Sequence, residues 1–297
     1  MRNLRLVLLG AILLLRLPAP AHADETEAWF TGSLNSTGAD ALPGGAFLAE
    51  PYLADVMAHP KGGPSSHTAE SFNLLLYGMT DDLIVGVIPR FAYRDAADIG
   101  DLTARVQYRL APYDAETGLP ALALSLNQTF PTGRHDNLND AGTNGTGTGA
   151  YVTSLSVLTD EYSTLPGGNL VRERFDVSYA VSSRVGVENR SVYGTQDGFW
   201  GHASPGAHLD ATFALEVSLT TRWALALDIS YDRDGNSRVW GDGLRWDSGS
   251  SQSINLVPAI EYNFTADTGL IIGVQMPVWQ HNTPVLVVPM AALNCVF

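Results

Sequence analysis

Arginines and carboxylates recur on the polar side of alternating apolar–polar runs. They are Arg90, Arg94, Arg105, Arg109, Arg174, Arg184, Arg190 and Arg222, with Asp176, Glu188, Asp210, Glu216, Asp228 and Glu261. Along a water-filled passage such side chains hold water, brace facing walls by ion pairing, or select solutes by charge. On a lipid-facing surface each arginine would cost about 2–4 kcal/mol near the bilayer midplane, so the set is expected to face inward. The lumen-lining candidates are Arg90, Arg105, Arg109, Arg174, Arg222, Asp210, Glu216, Asp228 and Glu261. Ion pairing that only fills the interior is the plain alternative to a role in permeation.

Other constellations fail on spacing. Asp232, Asp234 and Asn236 place oxygens at alternate positions as a calcium loop does, but the sixth position is Ser237 instead of Gly and the twelfth is Gly243 instead of Glu. The seven histidines are scattered and form no H-E-x-x-H, and the single cysteine, Cys295, excludes a multi-cysteine zinc site and an internal disulfide. No G-x-S-x-G occurs. No metal, no cofactor and no enzymatic activity are expected. The stretch Ala141–Gly149 (AGTNGTGTG) lacks the lysine of a phosphate loop and reads as a flexible linker. Trp240 and Trp246, in a connection between runs, are placed either to greet an apolar solute or to sit at a lipid interface.

The elements that would position these residues are strands. From Gly45 onward the sequence alternates with period two, in runs of about 9 to 13 residues separated by Gly, Pro, Asp, Asn and Ser. In Arg222–Asp232, Trp223, Leu225, Leu227, Ile229 and Tyr231 share one face and Arg222, Ala224, Ala226, Asp228, Ser230 and Asp232 the other. Trp223 and Tyr231 lie eight residues apart, which is about 26 Å along a strand and about 20 Å at a 40° tilt. That matches the apolar band and aromatic girdles of an outer-membrane barrel. The runs at Leu102, Phe175, Leu209 and Ile254 repeat the division, less cleanly in 82–94, where Ile84 and Ile88 join the polar side. A soluble β-sandwich alternates too, but its strands are shorter.

Composition agrees. Lys plus Arg total 17 and Asp plus Glu 31, for a net charge of −14 with one lysine, which excludes nucleic-acid binding. Charged residues are 16% of the chain while apolar residues are 45%, unlike a disordered acidic tail. Residues 1–23 read as a cleaved signal peptide: Arg2 and Arg5, the apolar run Leu6–Leu15, then Ala21-His22-Ala23. Ten apolar residues are too few for a membrane-spanning helix of roughly 20. Residues 24–44 are expected to form a short periplasmic tail and 45–297 the barrel.

Thirteen runs can be named, beginning near Phe47, Phe72, Leu83, Leu102, Leu119, Tyr151, Val171, Arg184, His208, Arg222, Ile254, Leu270 and Val285. Single-chain bacterial barrels have even strand numbers, short periplasmic turns and long outer loops. Counting from both ends makes 79–82 and the turns at Thr220 and Thr265 periplasmic, and 131–149 and 234–251 outer loops. Treating Tyr151–Leu158 as part of an outer loop reconciles the two counts. The expectation is an all-β, antiparallel up-and-down transmembrane β-barrel of about 12 strands.

The stretches IGDLTARVQYRLA (Ile99–Ala111), PALALSLNQTFPTGRHD (Pro120–Asp136) and NLVPAIEYNF (Asn255–Phe264) resemble the outer-membrane protein family of the meta-pathway of phenol degradation. Its short motifs here are Gly100-Asp101 opening a strand and Pro131-Thr132-Gly133 closing one. The resemblance implies a channel-like barrel in the outer membrane of a Gram-negative bacterium, taking up small aromatic or other apolar solutes, with no catalytic residues to carry over. Expected partners are a small-molecule solute and outer-membrane lipid. A structural or adhesive barrel with binding loops, and a barrel hydrolase, are the competing readings.

Overall fold

Alternation becomes strand wherever one face can meet lipid and the other the lumen. The structure is a computed structural model that describes residues 28–63, 65–93, 97–140 and 142–297. The signal segment 1–23 and Arg94 lie outside the described residues. The strands are β1 (Phe47–His59), β2 (Ser66–Gly78), β3 (Leu83–Ile88), β4 (Arg90–Tyr93), β5 (Ala97–Ile99), β6 (Leu102–Ala111), β7 (Ala121–Phe130), β8 (Val152–Thr164), β9 (Leu170–Ser182), β10 (Val185–Glu188), β11 (Trp200–Ser204), β12 (His208–Ser218), β13 (Trp223–Asp234), β14 (Arg238–Gly241), β15 (Leu244–Asp247), β16 (Ser251–Thr265), β17 (Thr268–His281) and β18 (Val285–Val296).

β3 and β4 are one strand interrupted at Pro89, whose ring carries no N–H for the ladder, and β5 leads into β6. With those segments joined, twelve antiparallel strands run β1-β2-β3-β6-β7-β8-β9-β12-β13-β16-β17-β18 and close through β18 onto β1, with Leu48 opposite Val296. Closure leaves no unpaired edge inside the hydrocarbon. Turns 79–82, 219–222 and 266–267 mark the periplasmic end, and the long connections 131–151, 183–207 and 235–250 the outer end.

The number twelve holds, but the surplus run is a different one. Tyr151–Leu158 is not loop: residues from Val152 form β8, paired on both sides with β7 and β9. The run near Arg184 leaves the barrel instead. Its four residues, Val185–Glu188, join β11, β14 and β15 in a separate sheet at the outer end. That sheet has its own core of Val185, Val187, Phe199, Ala203 and Val239. Counting strands from the two ends shows that one run is surplus, and since both β8 and Val185–Glu188 are strands the count alone does not say which.

The outer wall is apolar. Leu225, Leu227 and Ile229 point out between Ala224, Ala226, Asp228 and Ser230, which are buried. Trp223 packs on Tyr262 with ring centroids 4.7 Å apart, Tyr262 on Phe264 at 5.0 Å, and Phe47 on Phe297 at 6.4 Å, forming the periplasmic girdle. Phe130 and Tyr151, 6.1 Å apart, belong to the outer one.

Candidate functional site

The site is the lumen, and its two walls differ. On β8, β9, β12, β13 and β16 the inward side chains include the buried charges. Arg172 donates to both oxygens of Glu216, Nε to Oε2 and Nη2 to Oε1, each at 2.6 Å. Arg174 lies 3.4 Å from Asp160 and 3.6 Å from Glu216, and Glu261 sits beside Glu216. Glu216 and Glu261 are fully buried. Bidentate geometry and a shared carboxylate are what let such charges leave bulk water. On β1, β2, β17 and β18 the inward side chains are largely apolar: Tyr52, Phe72, Ile271, Val288, Met290 and Ala292 gather in one cluster with Val257 and Ala226.

Residues 28–44 run inside the barrel instead of forming a periplasmic tail. Thr31 donates its N–H to Glu261 Oε2 at 2.6 Å, Ser33 Oγ to Asp228 Oδ2 at 2.7 Å, and Asn35 N–H to the same oxygen at 2.9 Å. Ser36 Oγ and Thr37 N–H donate to Asp176 Oδ2 at 3.0 and 2.5 Å. The carbonyl of Gly38 accepts from Gln107 Nε2 at 3.0 Å. The carboxylate of Asp40 accepts from Tyr162 at 2.6 Å, and Gly44 N–H reaches Asp81 in a periplasmic turn at 2.9 Å. The segment therefore rises from the periplasmic end of β16 to mid-height at Asn35–Thr37, crosses the lumen and descends to β1.

Its chemistry matches both walls. The hydroxyls of Ser33 and Ser36 meet carboxylates, the side chains of Thr31 and Asn35 meet the amide oxygens of Asn263 and Gln275, and Leu34 is buried in the apolar cluster. Burying that leucine contributes about 1.5–3 kcal/mol. Two glycines on β17 make room. A Cβ on Gly269 would stand 2.2 Å from Thr31 Oγ1, and one on Gly273 would stand 2.7 Å from Leu34 Cδ1. Above the crossing, toward the outer end, a cavity of about 190 Å³ is lined by His208, Asp232, Asp234, Asn255, Gln275 and Pro277 among others. His208 Nδ1 and Asp234 Oδ1 pair at 2.8 Å, and Asp210 stands opposite Asp232 in register.

The candidates separate accordingly. Arg105, Arg174, Asp210, Glu216, Asp228 and Glu261 all belong to the lumen wall. Arg90 lies toward the outer end of the wall, exposed and 3.3 Å from Glu70, and Arg109 at the periplasmic end, 2.9 Å from Asp82. Arg222 is not in the lumen. It is exposed in the turn before β13, where alternation no longer sets direction. Arg184, Glu188 and Arg190 belong to the outer connections, Arg190 pairing with Asp197 at 3.0 Å. Trp240 lies on β14 with the Arg184 guanidinium 5.1 Å from its ring, so it is occupied within the outer sheet. Trp246 packs against that sheet's core, 5.7 Å from Phe199. Among the described residues no three His, Cys, Asp or Glu side chains converge to hold a metal ion.

The expected linker is also pinned. Gly133 N–H donates to Asp101 Oδ1 at 2.9 Å, and Thr148 donates its N–H and Oγ to Asp101 Oδ2 at 2.8 and 3.0 Å. Tyr193, in the 183–207 connection, donates its hydroxyl to the Thr148 carbonyl. Burial pushes that phenol up to about 12, with Asp101 adding to the rise.

Sequence reasoning missed the lumen segment and the apolar wall. The signal for the first was Gly269 and Gly273, two side-chain-free positions on one face of a strand. The signal for the second was that β17 and β18 carry apolar residues on both faces.

A family model described as "Putative MetA-pathway of phenol degradation" matches residues 67–287. Among solved structures, the chain is similar to an outer membrane channel from Pseudomonas putida F1, with a TM-score of 0.62 and 19% identity over 89% of this chain and 100% of that one. It is also similar to the β domain of the Bordetella autotransporter BrkA, with TM-score 0.46, 10% identity, and coverage of 85% and 100%. The toluene transporter TodX of Pseudomonas putida gives TM-score 0.39, 10% identity, and coverage of 91% and 95%. A search of curated proteins gives no match. The twelve-strand transmembrane barrel is thus a fold shared with a solved outer-membrane protein, and the chain belongs to the family of the putative MetA-pathway of phenol degradation.

Proposed function

We propose that the protein is an outer-membrane channel for passive uptake of small hydrophobic molecules, aromatic ones included. The observation that carries this reading is the two-sided lumen. An apolar wall containing Tyr52, Phe72, Val288 and Met290 faces a charged wall containing Arg172, Arg174, Glu216 and Glu261. Part of the apolar wall seats Leu34 of the lumen segment, and the half-buried side chains around it, Val56, Phe72, Leu74 and Leu286, leave apolar surface along which a small apolar solute gains by sliding. Family membership and the likeness to a solved outer-membrane channel support the same reading. The segment 28–44 narrows the inner half of the passage, which suits slow passage of small solutes over free flow of ions.

The test is flux. Folded protein in liposomes is expected to admit small aromatic solutes faster than protein-free liposomes, and in planar bilayers to give small discrete conductance steps. Absence of both in heat-modifiable, folded protein would overturn the reading.

A further inference from the structure

We infer that the barrel wall between β17 and β18 is a side exit, through which a small apolar solute passes from the outer part of the lumen into the lipid. The inference rests on the channel reading and adds the route by which the solute leaves.

The ladder between these two strands stops early. Among the described residues, β17 and β18 are paired from Thr268–Cys295 to Gln275–Val288 and no further, although β17 continues to His281 and β18 begins at Val285. Each strand stays paired on its other side: Met276, Pro277 and Trp279 with β16, and Val285, Leu286 and Val287 with β1. The two strands therefore part within the wall, and neither is a frayed end. Other outer-end pairs hold: β13 and β16 are paired up to Asp234–Ser251, and β1 and β2 up to Ala58–Ser66.

The sequence accounts for the parting. Pro277 sits beside a register shift against β16, between Ile254 and Asn255, and Pro284 immediately precedes β18. Neither has an N–H to give to a ladder, and proline within a sheet belongs at bulges and edges. The hairpin tip is also held to one side. The Asn282 amide donates to the carbonyls of Ser248 and Ser250 at 3.1 and 3.0 Å, which ties the tip to the 235–250 connection.

Both sides of the parting suit an apolar passenger. The cavity of about 190 Å³ above the lumen segment is bounded here by Pro277, Pro284 and Leu286. Beside the opening, Met276, Val278 and Trp279 are exposed on β17. Register gives the height: Met276 lies opposite Leu256 and so level with Ile229, and Trp279 opposite Ile254 and so level with Tyr231. The opening thus lies at the outer rim of the apolar band, where unpaired backbone still meets interfacial water and a solute meets the first acyl carbons. Along β18 it spans Val285–Val287, about 10 Å at the strand rise.

Below the cavity the passage is narrowed by residues 28–44, with Asn35 Nδ2 donating to Gln275 Oε1, on the cavity wall, at 2.9 Å. A solute that prefers hydrocarbon to water gains free energy by stepping sideways at this point. Ions have no such gain and stay in the lumen.

The test uses the folded protein in vesicles whose outer leaflet is lipopolysaccharide, with N-phenyl-1-naphthylamine, a dye that fluoresces on reaching hydrocarbon. Ion conductance in planar bilayers is the paired readout. Val278→Cys with Val285→Cys, in a Cys295→Ser background and oxidised to a disulfide, draws the two edges together. Wild-type protein is expected to speed dye entry about tenfold over protein-free vesicles, and the oxidised pair to lose most of that gain and recover it on reduction, with conductance changed less than about twofold. If the pair does not oxidise or does not fold, Val287→Lys, which sets a charge at the edge of the opening, is expected to slow dye entry about fivefold with the same small change in conductance. Dye entry that is equally fast in oxidised and reduced protein overturns the side exit and leaves the channel reading standing. Equal loss of dye entry and conductance on oxidation, or wild-type conductance without faster dye entry, overturns it as well. Wild-type protein with neither dye entry nor conductance overturns the channel reading, and the exit with it.

Discussion

Asp101 Oδ1 accepts the backbone N–H of Gly133 at 2.9 Å, so two short sequence motifs thirty-two residues apart meet in one hydrogen bond. Thr132 completes the clasp by donating its hydroxyl to the Gly100 carbonyl at 2.7 Å and accepting the Leu102 N–H at 3.0 Å. Asp101 also holds Thr148, so one buried carboxylate fixes both ends of the 131–150 connection. Gly133 is needed for the approach, because a Cβ there would lie 2.7 Å from the Thr146 carbonyl oxygen.

Asp101→Ala should therefore free the loop without opening the barrel. Three donors lose a charged acceptor, each such bond being worth about 1.5–3 kcal/mol, with partial recovery by water at the outer end. Limited proteolysis is expected to cut within 134–149 in the variant at least about tenfold faster than in wild-type protein, while heat-modifiable mobility persists. An unchanged cleavage rate would show that Asp101 does not hold the loop.

Glu216→Gln tests the charged wall. The substitution keeps shape and removes the charge that two buried arginines share, leaving Arg172 and Arg174 undercompensated. The expected loss is about 3–5 kcal/mol, read as a lower denaturant midpoint for unfolding in detergent. Arg222→Gln, in an exposed turn, is expected to change the unfolding free energy by less than about 0.5 kcal/mol.

The barrel was legible because the sorting of side chains between lipid and lumen writes period two into the chain. Leu225, Leu227 and Ile229 against Ala226, Asp228 and Ser230 show it in one strand. Parity gave twelve correctly but removed the wrong run, since a count reconciled from the two ends does not distinguish Val152–Thr164 from Val185–Glu188; the latter is a strand, outside the barrel. Residues 28–44 could not be placed because no periodicity governs a chain crossing a lumen. Their position depends on acceptors such as Asp228 and Asp176, about 140 to 200 residues away. Arg222 misled because alternation was extended one residue past the strand.

The lumen segment should limit conductance. Deleting residues 28–44 removes the chain from the inner half of the barrel and the contacts to Asp228, Asp176 and Glu261. Single-channel conductance is expected to rise several-fold in a barrel that still folds, though it unfolds at lower denaturant. Gly269→Leu should raise conductance with the segment still present, because its side chain would displace Thr31. Conductance equal to wild type in both variants would mean that ions bypass the segment.

The outer connection should loosen in alkali. The Tyr193 phenol, raised from 10 to about 12, binds its proton more tightly in the folded loop than in the free chain. Its contribution is therefore complete below pH 10 and falls as the pH rises from about 10 to about 12. Amide exchange in 183–207 and 142–150, measured relative to the intrinsic rate, is expected to accelerate across that interval. Tyr193→Phe has no proton to lose and should show the looser exchange at pH 8 already, with a flatter pH profile above 10.

Side-chain direction along β13 is the physical base of the architecture, and it can be read directly. Cysteines placed one at a time from 224 to 230 in a Cys295→Ser background and carrying a nitroxide should alternate in environment. Labels at Leu225, Leu227 and Ile229, whose native side chains are 46, 37 and 41% exposed on the outer wall, should collide with oxygen dissolved in lipid. Labels at Ala224, Ala226, Asp228 and Ser230 face the lumen and should be shielded from oxygen and, below the crossing at Asn35–Thr37, from water-soluble nickel reagents approaching from outside. Deleting 28–44 should open Ala224 and Ala226 to nickel and leave Leu225 and Leu227 unchanged. A nickel response at Leu225 in intact protein would place water where the fold requires hydrocarbon.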